Sequence, residues 1–445
     1  MKELFNNYIK GIDDTLQKKS KKFFLWRKIK DYKTRQTYDK NFSLRRILQY
    51  EKQWNYVIHK YTQINIYGIE FVGIGETISR LFMLIQDNRK EDKSVYNVVL
   101  PTFDPYYKKG VFNNKVFDIF ERKIHFITGH NIDFWQYAVI VHSKKINVDD
   151  FDKYKQRTAI AYFNKDCKAI VPFRDDIKIY AQKKMKEMGI TGEYICLHAR
   201  ETLTKTNNYS ECPDTSAASV DLNSFKQAVA YMHKLGYQSV RMGKDEKKRC
   251  ELEGVIDYAN DFYDEVMDFY LIANCKFLIG SPSGLTAVTL FWGRPILMTN
   301  LNVFAHGYES WVYTKYDLYI PKKFYSKREK RLLNLYETLT LTDKCDRYTE
   351  NYNKIGIKII DNSEEEILKA TIEMNEKLNH TWIITEDEKE CMKKYWQIID
   401  LWKSRHKTAC TRKMIGAEGY IMPPMSICYS YLKENLYLLD VKEIS

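Results

Sequence analysis

Two short segments hold residue types that could bind and stabilise an anion. Cys196-Leu197-His198-Ala199-Arg200 sets an imidazole and a guanidinium two positions apart, so on a strand they share one face. An arginine placed there can hold a phosphate through two parallel hydrogen bonds. An Arg–carboxylate bridge beside a hydrogen-bonded core histidine accounts for the same spacing. The second segment is Gly280-Ser281-Pro282-Ser283-Gly284-Leu285-Thr286. Its small residues let the backbone approach a ligand, and the N–H groups of a helix that follows point at it. The hydroxyls of Ser281, Ser283 and Thr286 add donors. A helix cap with tight packing explains part of this pattern, but two serines and two glycines exceed what capping needs. A third segment, Arg241-Met242-Gly243-Lys244, brings two cations to one place, where a surface turn serves equally well. The three segments are rich in phosphate donors and poor in carboxylates.

A general base has fewer candidates. Glu76 follows Gly73-Ile74-Gly75 at the point where an apolar run gives way to a helical one. A carboxylate there can take a proton from an attacking hydroxyl, or simply favour the first turn of its helix by ~0.3–1 kcal/mol. His198 is the other candidate, while His130 and Asp104 follow less regular strand-like segments. No G-x-x-x-x-G-K-[ST] occurs, and the glycine pair before Glu76 lacks the third glycine of the dinucleotide fingerprint. Asp150-Phe151-Asp152 matches an Asp-x-Asp metal motif in form, but its charged setting reads as a solvated turn. No metal is expected.

The elements that would position these residues alternate. In the first half, residues 64–72, 96–100 and 138–142 read as strands, with helices near 77–86 and 116–122. In the second half, strands at 194–199, 237–242, 255–258, 277–279 and 295–299 alternate with helices at 224–235, 264–274 and 284–292. Such alternation implies parallel sheets with helices on both faces. Beyond residue 300 the strands fade. Ser363 with Glu366 three residues on forms a capping box for a helix reaching about Leu378, and an apolar stripe predicts another helix over 386–405. The expected division is an arm over 1–62, an α/β domain over 63–175, a second over 176–360 and a helical tail over 361–445 that packs back across the domains.

Length and composition bound the reading. A chain of 445 residues and 44% hydrophobic content can build two or three cores. The net charge is +13, and residues 1–60 carry sixteen Lys and Arg against six Asp and Glu, so most of the excess sits in the arm. Its mixture of cations with Phe23, Phe24 and Trp26 suits an anionic membrane surface. A solvated helical extension docked on the body is a plainer account. Nucleic-acid binding is a third, for which no recognition module is present. The nine cysteines form no C-x-x-C pair, which fits reduced thiols in a cytoplasmic protein. The first residues lack the apolar core of a signal peptide, so the expected location is the cytoplasm, peripheral at the inner face of the cell membrane.

Over residues 194–300 the chain resembles a family of bacterial glycosyltransferases known mainly from sequence. The resemblance rests on Cys196 to Arg200, Asp214 and Asp221, Gly236 to Gly243, Ile256 to Ala259, Phe277 to Gly284 and Gly293 to Asn300, in order and at matching spacing. The His-x-Arg pair is also similar to that of GT-B fucosyltransferases. Where relatives often have Arg-Asn, this chain has Ala218-Ser219. The resemblance implies an α/β fold of GT-B type, two Rossmann-like domains facing across a cleft, with the donor held mostly by the second. It implies that Arg200 binds the donor diphosphate and that Ser281, Ser283 and Gly284 bind phosphates or ribose; the reading of the residues above adds Arg241, Lys244 and Thr286 to the expected donor-binding set. In heptosyltransferase-like relatives a carboxylate after the first strand is the base, and Glu76 occupies a similar place. The expected activity moves a sugar from a nucleotide-diphosphate donor to a cell-surface glycan or lipid-linked acceptor, without metal or other cofactor. The alternatives are a sugar-phosphate transferase on the same fold and a non-enzymatic basic nucleic-acid-binding protein.

Overall fold

The computed structural model describes residues 44–70, 94–102, 125–126, 134–135, 138, 142, 144–149, 172–200, 217, 219–244, 248–302, 316–345, 349–406 and 426–442. The chain divides into two compact units, residues 1–162 and 163–445.

The first unit opens with α1 (Leu44–Lys60). Its apolar positions recur at helical spacing, so Trp54 and Val57 share a face and are buried. Behind α1 lies a parallel sheet of β1 (Gln63–Glu70), β2 (Val95–Thr102), β3 (His125–Phe126) and β4 (Ile146–Asp149), in the order β3-β2-β1-β4. Trp54 and Val57 pack with Ile64, Ile66, Val98, Phe134, Trp135, Ala138 and Ile146 in one core. Glu51 accepts from or pairs with the His142 ring at 2.9 Å, and Trp54 stacks on that ring with centroids 4.5 Å apart.

Two expectations are corrected here. Seventeen residues of the basic arm form α1, which packs Trp54 and Val57 into the core of the first unit. Of the strand expected over 138–142 the described ends are not extended: His142 lies in a bend, and Ala138 is helical, as are Phe134 and Trp135, all three buried. Their spacing of one and four positions places three apolar groups on one helical face, and β4 follows four residues after His142. Residues 150–152, which include the Asp-x-Asp segment, lie outside the described residues, as do Glu76, Asp104 and His130.

The second unit begins with α2 (Asp175–Glu187) and β5 (Tyr194–His198), whose five residues are all buried. A strand buried on both faces needs a continuous apolar run rather than alternation, and Tyr-Ile-Cys-Leu supplies it. The chain continues through α3 (Lys226–Lys234), β6 (Gln238–Arg241), β7 (Val255–Ile256), α4 (Met267–Asn274), β8 (Leu278–Gly280), a 3₁₀ helix (Leu285–Trp292) and β9 (Ile296–Leu301). Beyond residue 300 come β10 (Leu318–Pro321), β11 (Lys323–Ser326), β12 (Arg331–Leu332), α5 (Leu335–Cys345), α6 (Thr349–Lys354), β13 (Ile357–Ile360), α7 (Glu364–Leu378), α8 (Glu386–Arg405), β14 (Ser426–Ile427) and α9 (Tyr429–Glu434). The strands therefore do not fade after residue 300. Beta10 and β14 extend the main sheet, and β12-β11-β13 form a separate antiparallel sheet. These strands escaped the sequence reading because Pro321 and Lys322 break one apolar stretch into two short strands.

The main sheet has the order β14-β10-β9-β8-β5-β6-β7, and every pairing in it is parallel. From β5 the chain winds outward through β6 to β7, then returns to the other side of β5 and winds outward again from β8 to β10. With right-handed crossovers this reversal puts the two sets of helices on opposite faces. Helix α7 packs against α3, while α4 packs against α2 and the 3₁₀ helix. The capping box is formed as expected: Glu366 N–H donates to Ser363 Oγ at 3.2 Å and Ser363 N–H donates to Glu366 Oε2 at 2.8 Å. Both units are thus α/β, each built on a parallel sheet.

If α1 is structural rather than a detachable arm, Trp54→Ala should lower the stability of the first unit by ~3–5 kcal/mol. Urea unfolding followed by tryptophan fluorescence checks this, and an unchanged transition would return α1 to the arm.

Candidate functional site

In an open parallel sheet, ligands bind outside the carboxyl ends of the strands where the winding direction reverses. In the second unit that point lies between β5 and β8. The two strands are paired, with His198 opposite Gly280, and just beyond them stand Arg200 and Ser281. The Arg200 N–H donates to Ser281 Oγ at 2.8 Å, and the Ser281 N–H donates to the His198 carbonyl at 3.0 Å. The guanidinium segment and the serine–glycine bend, 81 residues apart in sequence, are therefore tied together.

Glycine at 280 is a consequence of this approach. A Cβ there would lie 2.7 Å from Leu278 Cδ2, 3.1 Å from Thr286 Cγ2 and 3.3 Å from the His198 carbonyl oxygen. Beyond it the bend is held from within. The Leu285 N–H donates to Ser283 Oγ at 3.0 Å, and the buried Thr286 hydroxyl donates to the Ser283 carbonyl at 2.6 Å. Ser283 and Gly284 are half-buried, and their N–H groups bond to no other described residue. Those N–H groups, with the Ser281 and Ser283 hydroxyl hydrogens, can donate to an anion seated at the start of the 3₁₀ helix. Thr286 instead gives its proton to the bend, so it shapes the cradle rather than lining it. Arg200 is half-buried at the edge of the same bend.

The remaining expected residues divide. Arg241 is 3% exposed, and its guanidinium faces Asp257 at 3.2 Å while donating to the Lys248 carbonyl at 2.6 Å. Asp257 in turn accepts from the Cys250 N–H at 2.8 Å and the Asn260 amide at 2.9 Å. Arg241 is thus a buried tie under the β6–β7 edge, and the expectation that it binds donor phosphate is corrected. Lys244 is exposed one turn beyond β6, its ammonium 5.0 Å from the centre of the Tyr263 ring. Gly243 between them has φ 147, a conformation that side-chain-bearing residues rarely adopt.

His198 is buried, and its Nδ1 lies 3.3 Å from the Met242 carbonyl oxygen. A carbonyl only accepts, so that nitrogen carries the proton. Burial pushes the imidazole down to about 4, and the charges of Arg200 and Arg241 push in the same direction. A group of that acidity is a poor proton acceptor near neutrality. His198 therefore joins the ends of β5 and β6, and its expected role as base is corrected.

Sequence reasoning missed the other side of the site. Beta9 ends at Asn300 and Leu301 and is followed by Asn302, all three buried, and the adjacent β10 is followed by Lys322, which is 3% exposed. The Lys322 ammonium pairs with Asp361 Oδ1 at 2.7 Å and donates to the Ser219 carbonyl at 2.9 Å. The neighbouring Val220 N–H donates to the Arg200 carbonyl at 2.9 Å. The stretch 219–220 therefore runs over the carboxyl end of the sheet, from β5 to β10. The signal available in sequence was Asn-Leu-Asn at 300–302, two amides closing an apolar strand. Among the described residues no group of His, Cys, Asp and Glu is arranged to hold a metal ion, and no helix is long and apolar enough to cross a membrane.

Known proteins give the following comparison. No protein-family profile and no curated protein sequence matches the chain. Among solved structures it is similar to a glycosyl transferase of family 9 from Veillonella parvula, at 12% identity and a TM-score of 0.43, over 72% of this chain and 98% of that one. It is also similar to the dodecameric iron-containing heptosyltransferase TibC of enterotoxigenic E. coli, in complex with ADP-D-β-D-heptose, at 14% identity and 0.38, over 72% and 78%. A third is E. coli ADP-heptose lipopolysaccharide heptosyltransferase II, at 11% identity and 0.33, over 53% and 84%.

The buried state of His198 has a pH consequence. Its folded value lies below its ordinary 6.5, so the unfolded chain takes the proton first and stability falls as pH drops from about 6.5 towards 4. His198→Asn retains a donor for the Met242 carbonyl and should flatten that part of the thermal-denaturation profile. Parallel profiles for the two proteins would contradict the assignment.

Proposed function

We propose that the protein is a glycosyltransferase that moves a sugar from a nucleoside-diphosphate donor to a cell-surface glycan or lipid-linked acceptor. One observation carries this reading. Arg200 and the bend at 281–284 meet at the reversal point of a doubly wound sheet, through the 2.8 Å bond from the Arg200 N–H to Ser281 Oγ. Among the described residues that place collects a cation, backbone N–H groups of Ser283 and Gly284 and two hydroxyls. This chemistry suits a diphosphate, whose oxygens accept hydrogen bonds and carry charge.

As the bond between the sugar and the diphosphate breaks, negative charge builds on the leaving oxygen. Donors fixed before the reaction stabilise that charge without reorganising. Arg200 and the N–H groups of Ser283 and Gly284 fill this role, and no metal is required for it. Glu76 is proposed as the base that takes the acceptor proton. Lys244 is proposed to approach the donor from the β6 side. The cations of residues 1–43, together with those on α1, are proposed to hold the enzyme at the inner face of the cell membrane, where each Lys or Arg contributes ~1 kcal/mol.

Arg200→Ala should fold normally and lose more than tenfold in turnover on its nucleotide sugar. A thermal-shift panel of nucleotides and nucleotide sugars identifies that donor first, since a specific ligand stabilises the folded state by mass action. Full turnover in folded Arg200→Ala would remove the proposed diphosphate site.

A further inference from the structure

Asn302 stands immediately beyond β9 and is fully buried, yet neither Nδ2 nor Oδ1 has a hydrogen-bond partner. Buried side-chain amides are ordinarily bonded, because leaving them unbonded forfeits the hydrogen bonds they made to water. Among the described residues Asn302 is the one buried asparagine with both ends of its amide left over. Asn300 is half matched: its Nδ2 is likewise buried without a partner, but its backbone N–H and Oδ1 are engaged. Asn300 N–H donates to Asn362 Oδ1 at 2.6 Å, and Asn362 N–H donates to Asn300 Oδ1 at 2.7 Å. That reciprocal pair locks Asn300 in its left-handed conformation, φ 54. On the other side the Lys322 N–H donates to the Leu301 carbonyl at 3.0 Å, and its ammonium is committed to Asp361 and Ser219. Apart from Asn300 Nδ2, the polar groups flanking Asn302 are thus matched to one another.

Its place in the fold narrows the ligand. Beta9 is paired to β8, whose end carries the 281–284 bend, so Asn302 stands at the same end of the sheet, beyond the strand next to the one that carries the proposed diphosphate cradle. The amide offers two N–H donors and one acceptor. A phosphate oxygen only accepts, so it would satisfy Nδ2 and leave Oδ1 bare. A hydroxyl both donates and accepts, and an adjacent pair of hydroxyls matches the whole amide. We infer that Asn302 is a donor-binding residue that reads a hydroxyl pair next to the diphosphate, on the ribose or on the transferred sugar. This rests on the glycosyltransferase reading and adds a determinant of sugar recognition to it.

Calorimetric titration of the full chain tests the inference. The probes are inorganic pyrophosphate; UDP, GDP and ADP; and UDP-glucose, GDP-mannose and ADP-glucose. Asn302→Ala should leave pyrophosphate binding intact and weaken the hydroxyl-bearing ligand about tenfold, the scale of one or two neutral hydrogen bonds. Equal weakening of nucleoside diphosphate and nucleotide sugar assigns the ribose. Weakening of the nucleotide sugar alone assigns the transferred sugar. Asn302→Leu, close in shape but without polar atoms, should bind as weakly while unfolding at the same or a higher temperature than the unliganded wild type. A purely structural amide would give the opposite shift. If folded Asn302→Ala binds every probe like the wild type, or loses pyrophosphate equally, the inference fails while Arg200→Ala still reports on the diphosphate site. If the wild type binds none of the probes, the glycosyltransferase reading falls and takes this inference with it.

Discussion

The second unit depends on the reversal of winding between β5 and β8. Two strands that are neighbours in space and 80 residues apart in sequence end side by side, and the chain leaves them in opposite directions. By that topology a gap opens at their carboxyl ends that no helix among the described residues fills. The hydrogen bond from the Arg200 N–H to Ser281 Oγ, 2.8 Å long, spans that gap. Gly280 lets the strands close to the point where the bond forms, since a side chain there would press on Leu278, Thr286 and the His198 carbonyl. The cation and the donor-rich bend are brought together by topology first and by this contact second.

Around that gap the protein sorts its charged groups. Arg241 and Asp257 neutralise each other beneath the outer strands, and Lys322 is held by Asp361 and Ser219 at the other flank. Arg241, Asp257 and Lys322 are buried while Asp361 is half-exposed, so removing Asp257 or Asp361 would leave an unmatched cation in a poorly solvated place. They serve as ties at the rim of the site. The 219–220 stretch uses them: it is bonded to Arg200 at one end and to Lys322 at the other, and so lies across the sheet end where a ligand would sit. The groups in between, Ser281, Ser283 and Gly284, keep donors for something other than protein.

Much of this second sheet could be read directly in the residues. Continuous apolar runs such as Tyr194 to Leu197 are the mark of strands buried on both faces, and the glycines and serines at 280–284 announced a tight strand-to-helix turn. The capping box at Ser363 and the helix over Glu386–Arg405 followed from local spacing alone. What escaped was set by contacts distant in sequence. Arg241 and Lys244 look alike as cations after a strand, and only the fold reveals that Asp257 neutralises the first. His198 has the residue type of a base, yet burial deprives it of basicity. Beta10, β11 and β14 are too short to leave a periodic signal, so Asn302 and Lys322 could not be placed beside the bend until the sheet order was known. Trp54 and Val57 were counted with a basic arm because charge dominates their neighbourhood, although the apolar spacing already marked a buried face.

The account makes the gap between β5 and β8 a seat for a diphosphate, and a structure with the bound nucleoside diphosphate tests that most directly. It predicts β-phosphate oxygens within hydrogen-bonding distance of the Ser283 and Gly284 N–H groups and of the Arg200 guanidinium. A diphosphate bound elsewhere on the chain, with Arg200 and the bend unchanged from their unliganded contacts, would contradict it.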